Sequence, residues 1–250
     1  MDDSILIEVD WTDFSRESMV PLSNFFFWSQ RCRHGTFAEG LLGEIMENME
    51  GMTMVKAQHH HLTEPYQFGV STKLEVRQRL SSVGRTSLTL INEFFADGKY
   101  VAYGHVAIVA AKNGKVTEIP KQYVDSLTKS MRPDPHSNDL KQIAAFIAAN
   151  KEAPIQAELE VLFRSSDEDM NYHVNQARYA QVFEDALRLV EDIPTTLLSL
   201  SCDYLKEAKR GQTCVVRVRR VNATSAILQL VCGEHLICTG LATWKPSHSI

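Results

Sequence analysis

The chain has 250 residues, of which 44% are hydrophobic, and a formal net charge of −5. That is enough for one large domain or two of about 125 residues, and no apolar run approaches the roughly 18 residues of a membrane span. The acidic balance speaks against a general nucleic-acid binder.

Met1-Asp2-Asp3-Ser4 lacks the basic and apolar regions of a secretory signal and the Arg/Ser bias of a transit peptide, so a soluble, cytoplasmic protein is expected. Five cysteines, Cys32, Cys202, Cys214, Cys232 and Cys238, are scattered without a C-x-x-C pair. Their odd number and spacing indicate neither a disulfide framework nor a zinc site, and reduced thiols are expected. Neither a metal nor a cofactor is called for.

In chain order, the patterning predicts a strand at 5–11, a helix at 22–38 and a strand at 54–62. A meander of strands follows at 70–80, 86–96, 100–110 and 115–119. Asp97-Gly98 and Asn113-Gly114 read as its hairpin turns, because Asn, Asp and Gly tolerate positive φ. After Pro120 comes a Pro-bearing polar loop, Met131 to Asn138, and a helical run, Leu140 to Ala149. The order then resumes: a strand at 156–163, a helix at 174–191, and strands at 197–205, 213–221, 225–232 and 235–244.

The turn signals repeat as well. Gln67-Phe68-Gly69-Val70 matches Lys209-Arg210-Gly211-Gln212, and Tyr103-Gly104-His105 matches Thr239-Gly240-Leu241. Two copies of one α+β unit are implied: residues 1–120, a linker with a helix at 121–154, and residues 155–250.

Chemistry concentrates before the second long helix, in Asp167-Glu168-Asp169-Met170-Asn171-Tyr172-His173-Val174-Asn175. A structural cap needs one Asp or Asn. This stretch supplies several, with an imidazole, where the helix dipole favours charge developing on a carbonyl oxygen.

A long helix wrapped by an antiparallel sheet, doubled in tandem, resembles the double-hotdog fold. The string Asp167 to Asn175 resembles the Asp-x-Asp-x-Asn-x-His-Val-Asn pattern of the acyl-acyl carrier protein (acyl-ACP) thioesterases. Their strand-end acidic-Tyr-x-x-Glu pattern is matched by Asp203-Tyr204-Leu205-Lys206-Glu207. The resemblance is sharp over residues 163–211. It implies hydrolysis of a fatty or related acyl thioester of CoA or acyl carrier protein, with Asp169, Asn171, His173 and Glu207 catalytic. Many members have Cys after the Glu; Ala208 stands here, which excludes a cysteine nucleophile at that place. The string does not choose between direct carboxylate attack and general-base catalysis.

Aligned on Asn24 and Asn175, the first copy lacks the polar set, and with Gly69 placed on Gly211, Pro65 falls where Glu207 stands. Its expected role is to complete the pseudo-dimer and wall the acyl pocket; the run Phe25 to Trp28 is expected in the core or lining that pocket, with Phe27 and Trp28 as candidates for substrate contact. Asn175 and Arg210 are further candidates for contact with substrate. Arg210 lies in a basic stretch with Lys206, Lys209, Arg217, Arg219 and Arg220, which either forms a solvated strand face or attracts phosphate of CoA or an acidic carrier protein.

His59-His60-His61 is not a metal site, since neighbours on a strand face opposite sides. Glu184 and Asp185 are the competing carboxylates on the second helix. A hotdog hydratase or dehydratase, and a non-catalytic acyl-binding protein, are the rival functions; the D-x-N-P-x-H string of the former is absent. A homodimer of the doubled chain is a further expectation.

Overall fold

The computed structural model describes residues 3–15, 18–36, 52–67, 69, 73–113, 115–169, 172–190, 193 and 196–245. It contains β1 (Asp3–Glu8), α1 (Leu22–Thr36), β2 (Met52–Leu62), β3 (Lys73–Val83), β4 (Ser87–Ala96), β5 (Lys99–Lys112) and a short β6 (Lys115–Val116). Then come α2 (Lys121–Ser130), α3 (Asp139–Ala149), β7 (Ile155–Leu162), α4 (Gln176–Leu187), β8 (Ser199–Tyr204), β9 (Thr213–Asn222), β10 (Ser225–Cys232) and β11 (His235–Thr243).

All the strands join one antiparallel sheet in the order β1-β3-β4-β5-β2-β8-β11-β10-β9-β7, with β6 on β5. Within each copy the order is the same, outer strand first, and the copies meet edge to edge at β2 and β8. His59 faces Ser201 and His60 faces Leu200 across that seam. Pairing the two otherwise open edges satisfies their backbone groups and merges two small cores into one. That core runs through both copies, from Phe25, Phe26 and Phe94 to Phe183, Val216 and Leu228. This is the double-hotdog arrangement, with α1 and α4 packed against each other over the sheet.

The alternation that predicts the strands is the one the structure uses. On β9, Val216 and Val218 are buried while Arg217 and Arg219 face outward. Asp97 and Gly98 form their turn with φ of 47° and 79°. The equivalent glycines Gly104 and Gly240 permit close approach: a Cβ on Gly104 would lie 2.0 Å from the His60 ring, and one on Gly240 would lie 2.8 Å from Phe183.

Three details differ from the sequence-based expectations. The 121–154 segment holds two helices, because α2 uses Leu127 to cover a second apolar cluster, with Leu80, Leu90 and Ile108, on the opposite face of the first copy's sheet. Cys214 and Cys232, on the neighbouring strands β9 and β10, are joined as a disulfide, while Cys32, Cys202 and Cys238 are free and buried. Strand register, invisible in sequence spacing, creates that pair. The alignment of the two helix starts also shifts, as the loops before them show.

Candidate active site

The loop before α4 is built locally. A short 3-10 turn at Ser165–Asp167 closes when the Asp167 carboxylate accepts the Arg164 N–H. Asp169 N–H donates to the His173 carbonyl at 2.9 Å and Tyr172 N–H to the Asp169 carbonyl at 3.1 Å, with Tyr172 at φ 63°. Asn175 then caps α4, its Oδ1 accepting from Ala177 N–H at 2.9 Å. The amide thus holds the helix start, a structural task.

The loop brings the His173 ring to the positive end of the α4 dipole. Glu207 arrives from the other side, beyond the end of β8, and its carboxylate Oε2 lies 3.4 Å from His173 Nε2. Two tyrosines bracket Glu207. Before it, the Tyr204 hydroxyl donates to the Gln176 carbonyl at 3.2 Å and also sits 3.1 Å from Gln58 Oε1. After it, the Tyr179 hydroxyl accepts the Ala208 N–H at 2.9 Å. Residues distant in sequence are so fixed across the mouth of the helix. Both ends of the His173–Glu207 contact stay open to solvent, with side chains 48% and 57% exposed.

Of the other candidates, Asn171 lies outside the described residues, and Asp169 is partly buried in the same loop. Arg210 lies 3.5 Å from Glu168, at the rim. Trp28 is buried in edge-to-face contact with Phe25, and Phe27 lies under the Arg178 guanidinium at 5.5 Å from its ring centre. The basic stretch is largely engaged: Arg217 with Glu158, Arg219 with Gln229, and Arg220 over Trp244.

Glu184 is placed elsewhere. Fully covered on α4, its carboxylate accepts the N–H groups of Leu22 at 2.9 Å and Ser23 at 3.0 Å, and so caps the start of α1. Burial pushes its carboxyl above the ordinary range, against the hydrogen bonds from Ser23 and Leu22. Asp185 is exposed.

His60 turns toward α1, 3.3 Å from Ser29 Oγ, whereas His59 and His61 turn to the other face, beside Tyr103. Among the described residues no cluster of His, Cys, Asp or Glu has the geometry to hold a metal.

The loop before α1 repeats three hydrogen bonds of the loop before α4. Asp13 closes a 3-10 turn by accepting Asp10 N–H; Ser15 N–H donates to the Met19 carbonyl at 2.7 Å; and Ser18 N–H donates to the Ser15 carbonyl at 2.9 Å, with Ser18 at φ 59°. Ser15 therefore stands for Asp169, Met19 for His173 and Pro21 for Asn175. Asn24 is one turn inside the helix and corresponds to Arg178. Matching on the shared Asn misplaced the register by about a turn, because Pro21 has replaced the cap. The sequence-based conclusion nonetheless stands: the first copy has neither the imidazole nor the carboxylate.

Sequence reasoning did not find Gln58, Tyr179 and Tyr204, which position the Glu207 segment. Tyr204 belongs to the acidic-Tyr-x-x-Glu pattern and was the available signal; Tyr179 and Gln58 had none.

Residues 149–236 match the family model described as the acyl-ACP thioesterase C-terminal domain. No curated protein matches the chain in sequence. Among solved structures, the chain is similar to an acyl-ACP thioesterase from Bacteroides thetaiotaomicron, with 13% identity, TM-score 0.75 and 98% of each chain covered. It is also similar to the 12:0-ACP thioesterase from Umbellularia californica, with 13% identity, TM-score 0.77 and 98% of each chain covered. No described helix is long and apolar enough to cross a membrane. The chain shares the double-hotdog fold of these solved structures over 98% of its length, and over residues 149–236 it resembles the acyl-ACP thioesterase C-terminal domain in sequence.

Proposed function

We propose that the chain is a thioester hydrolase that releases a free fatty or related acid from an acyl thioester, with its one working site in the C-terminal copy. The observation that carries this reading is the His173–Glu207 contact at the start of α4, within the segment that matches the thioesterase domain. The thioester carbonyl would lie at the α4 N-terminus, where the helix dipole favours the developing oxyanion. Glu207, oriented by its contact with His173, takes a proton from water as the water oxygen attacks the carbonyl carbon. The C–S bond then breaks, and the proton passes to the leaving thiolate. The solvent exposure of both groups supports water as the nucleophile. Asp169 and Asn171 are assigned to holding His173 and the substrate carbonyl, on the strength of the string alone.

The thiol component is proposed to be acyl carrier protein or CoA, met by the rim cations Arg210 and Lys209. The test is thiol release from acyl-CoA and acyl-ACP substrates of graded chain length. Turnover with an acid product supports the reading, and failure on every thioester overturns it.

A further inference from the structure

Behind the α4 start, at the junction of the two copies, lies a set of buried polar atoms that the hydrolysis does not use. Arg33, on α1, has Nη1 buried with no hydrogen-bond partner among the described residues. Gln58, on β2, is 0% exposed, and its Nε2 is likewise unpartnered. One turn before Arg33, Gln30 Oε1 is buried and unpartnered too. Gln58 is tied to the site, since its Oε1 meets the Tyr204 hydroxyl, which also bonds the first residue of α4. Arg33 neighbours the same tyrosine, and burial lowers its guanidinium to about 10.

Buried donors without acceptors are costly. The first copy shows the same place resolved differently. Matching the two loops sets Glu184 opposite Gln30, and Glu184 spends its carboxylate on Leu22 and Ser23. By the turn-glycine match, Leu62 stands for Tyr204. The cavity left beside Leu62 and Glu184 has about 10 Å³, no more than one water. The degenerate copy has an internal occupant; the working copy keeps its donors unspent.

We propose that Arg33 and Gln58 form a specificity subsite for an oxygen carried on the acyl chain close to the thioester, a 3-hydroxyl or 3-oxo group. This rests on the hydrolase reading. Both donors adjoin Tyr204 behind the α4 start, where the oxygen of the acyl chain would be held. A saturated chain would leave those donors unpaired. A site built to bond a substrate oxygen discriminates strongly against the analogue without it.

The experiment compares kcat/KM for 3-hydroxydecanoyl, 3-oxodecanoyl and decanoyl thioesters, on CoA and on acyl carrier protein, in wild type, Arg33→Met and Gln58→Leu. We expect at least about a tenfold preference for an oxygenated chain in wild type, and a ratio falling toward one in both variants. Equal rates for the three chains in wild type, or a preference that survives in both variants, overturn the subsite. If Arg33→Met does not fold, Gln58→Leu and the wild-type ratio decide. Hydrolysis without preference removes only the subsite, whereas absence of hydrolysis on all chains removes the reading beneath it.

Discussion

The loops before α1 and before α4 share one backbone and differ in almost every side chain that bears chemistry. Both carry the 3-10 turn, the hydrogen bond across the loop and the residue at positive φ. In one, Ser15, Met19 and Pro21 occupy the positions that Asp169, His173 and Asn175 hold in the other. Backbone hydrogen bonds and turn geometry preserve a scaffold without preserving its function. The helix ends are also treated differently. The α1 start is sealed by the buried carboxylate of Glu184, and the α4 start is capped by its own Asn175 and left facing His173 and Glu207.

The largest effect should separate the copies by turnover. His173→Ala or Glu207→Gln should lower kcat by about a hundredfold or more, the scale of a lost acid-base group. Met19→Ala, at the matching position, should change kcat by less than about threefold. Steady-state thiol release measures both, and comparable losses from the two loops would break the one-site comparison.

The second effect reverses the asymmetry. Glu184→Ala strands the N–H groups of Leu22 and Ser23 inside the protein, and should cost about 2–4 kcal/mol in denaturant unfolding. Gln30→Ala, at the matching place, leaves no partner behind and should cost well under half as much. If Glu184→Ala kept full stability and lost all turnover, the catalytic carboxylate would belong on α4.

Acid should act through the seam between the copies. Burial lowers His59 to about 3, helped by neighbouring His105, His61 and His136, and lowers His60 well below its ordinary 6.5. The folded values lie below the unfolded one, so the unfolded chain takes up protons first. Stability should hold above pH 6.5 and fall as pH drops below it, by about 1.4 kcal/mol per pH unit for each histidine. Asp134, held below its ordinary range although burial opposes its hydrogen bonds from Ser81 and His105, adds a loss in the same direction at lower pH. Unfolding curves from pH 7.5 to 5 test this, and His59→Gln should flatten the slope.

The smallest effect concerns positioning. Tyr179→Phe removes the acceptor for Ala208 N–H, so the Glu207 segment loses one of its two anchors. A several-fold fall in kcat with KM little changed is expected, at a stability cost of about 1 kcal/mol. Phe25 is the equivalent residue on α1, and its substitution by Leu should affect stability alone.

The sequence by itself determined most of the elements (α2 excepted), their duplicated order and the loss of polar residues from the first copy; it named His173 and Glu207 together only through the family resemblance. These are written in local codes: alternation along β9, glycines at turns, and a polar string abutting an apolar helical face. Tertiary structure alone decided the partners at a distance. The seam of β2 on β8, the Cys214–Cys232 pair, the Glu184 cap on α1, the tyrosines around Glu207 and the unspent donors of Arg33 and Gln58 all join residues far apart in the chain. Such contacts depend on register and on which helix end meets which side chain. No spacing along the sequence encodes them, because the chain's geometry fixes them only once the two copies have packed.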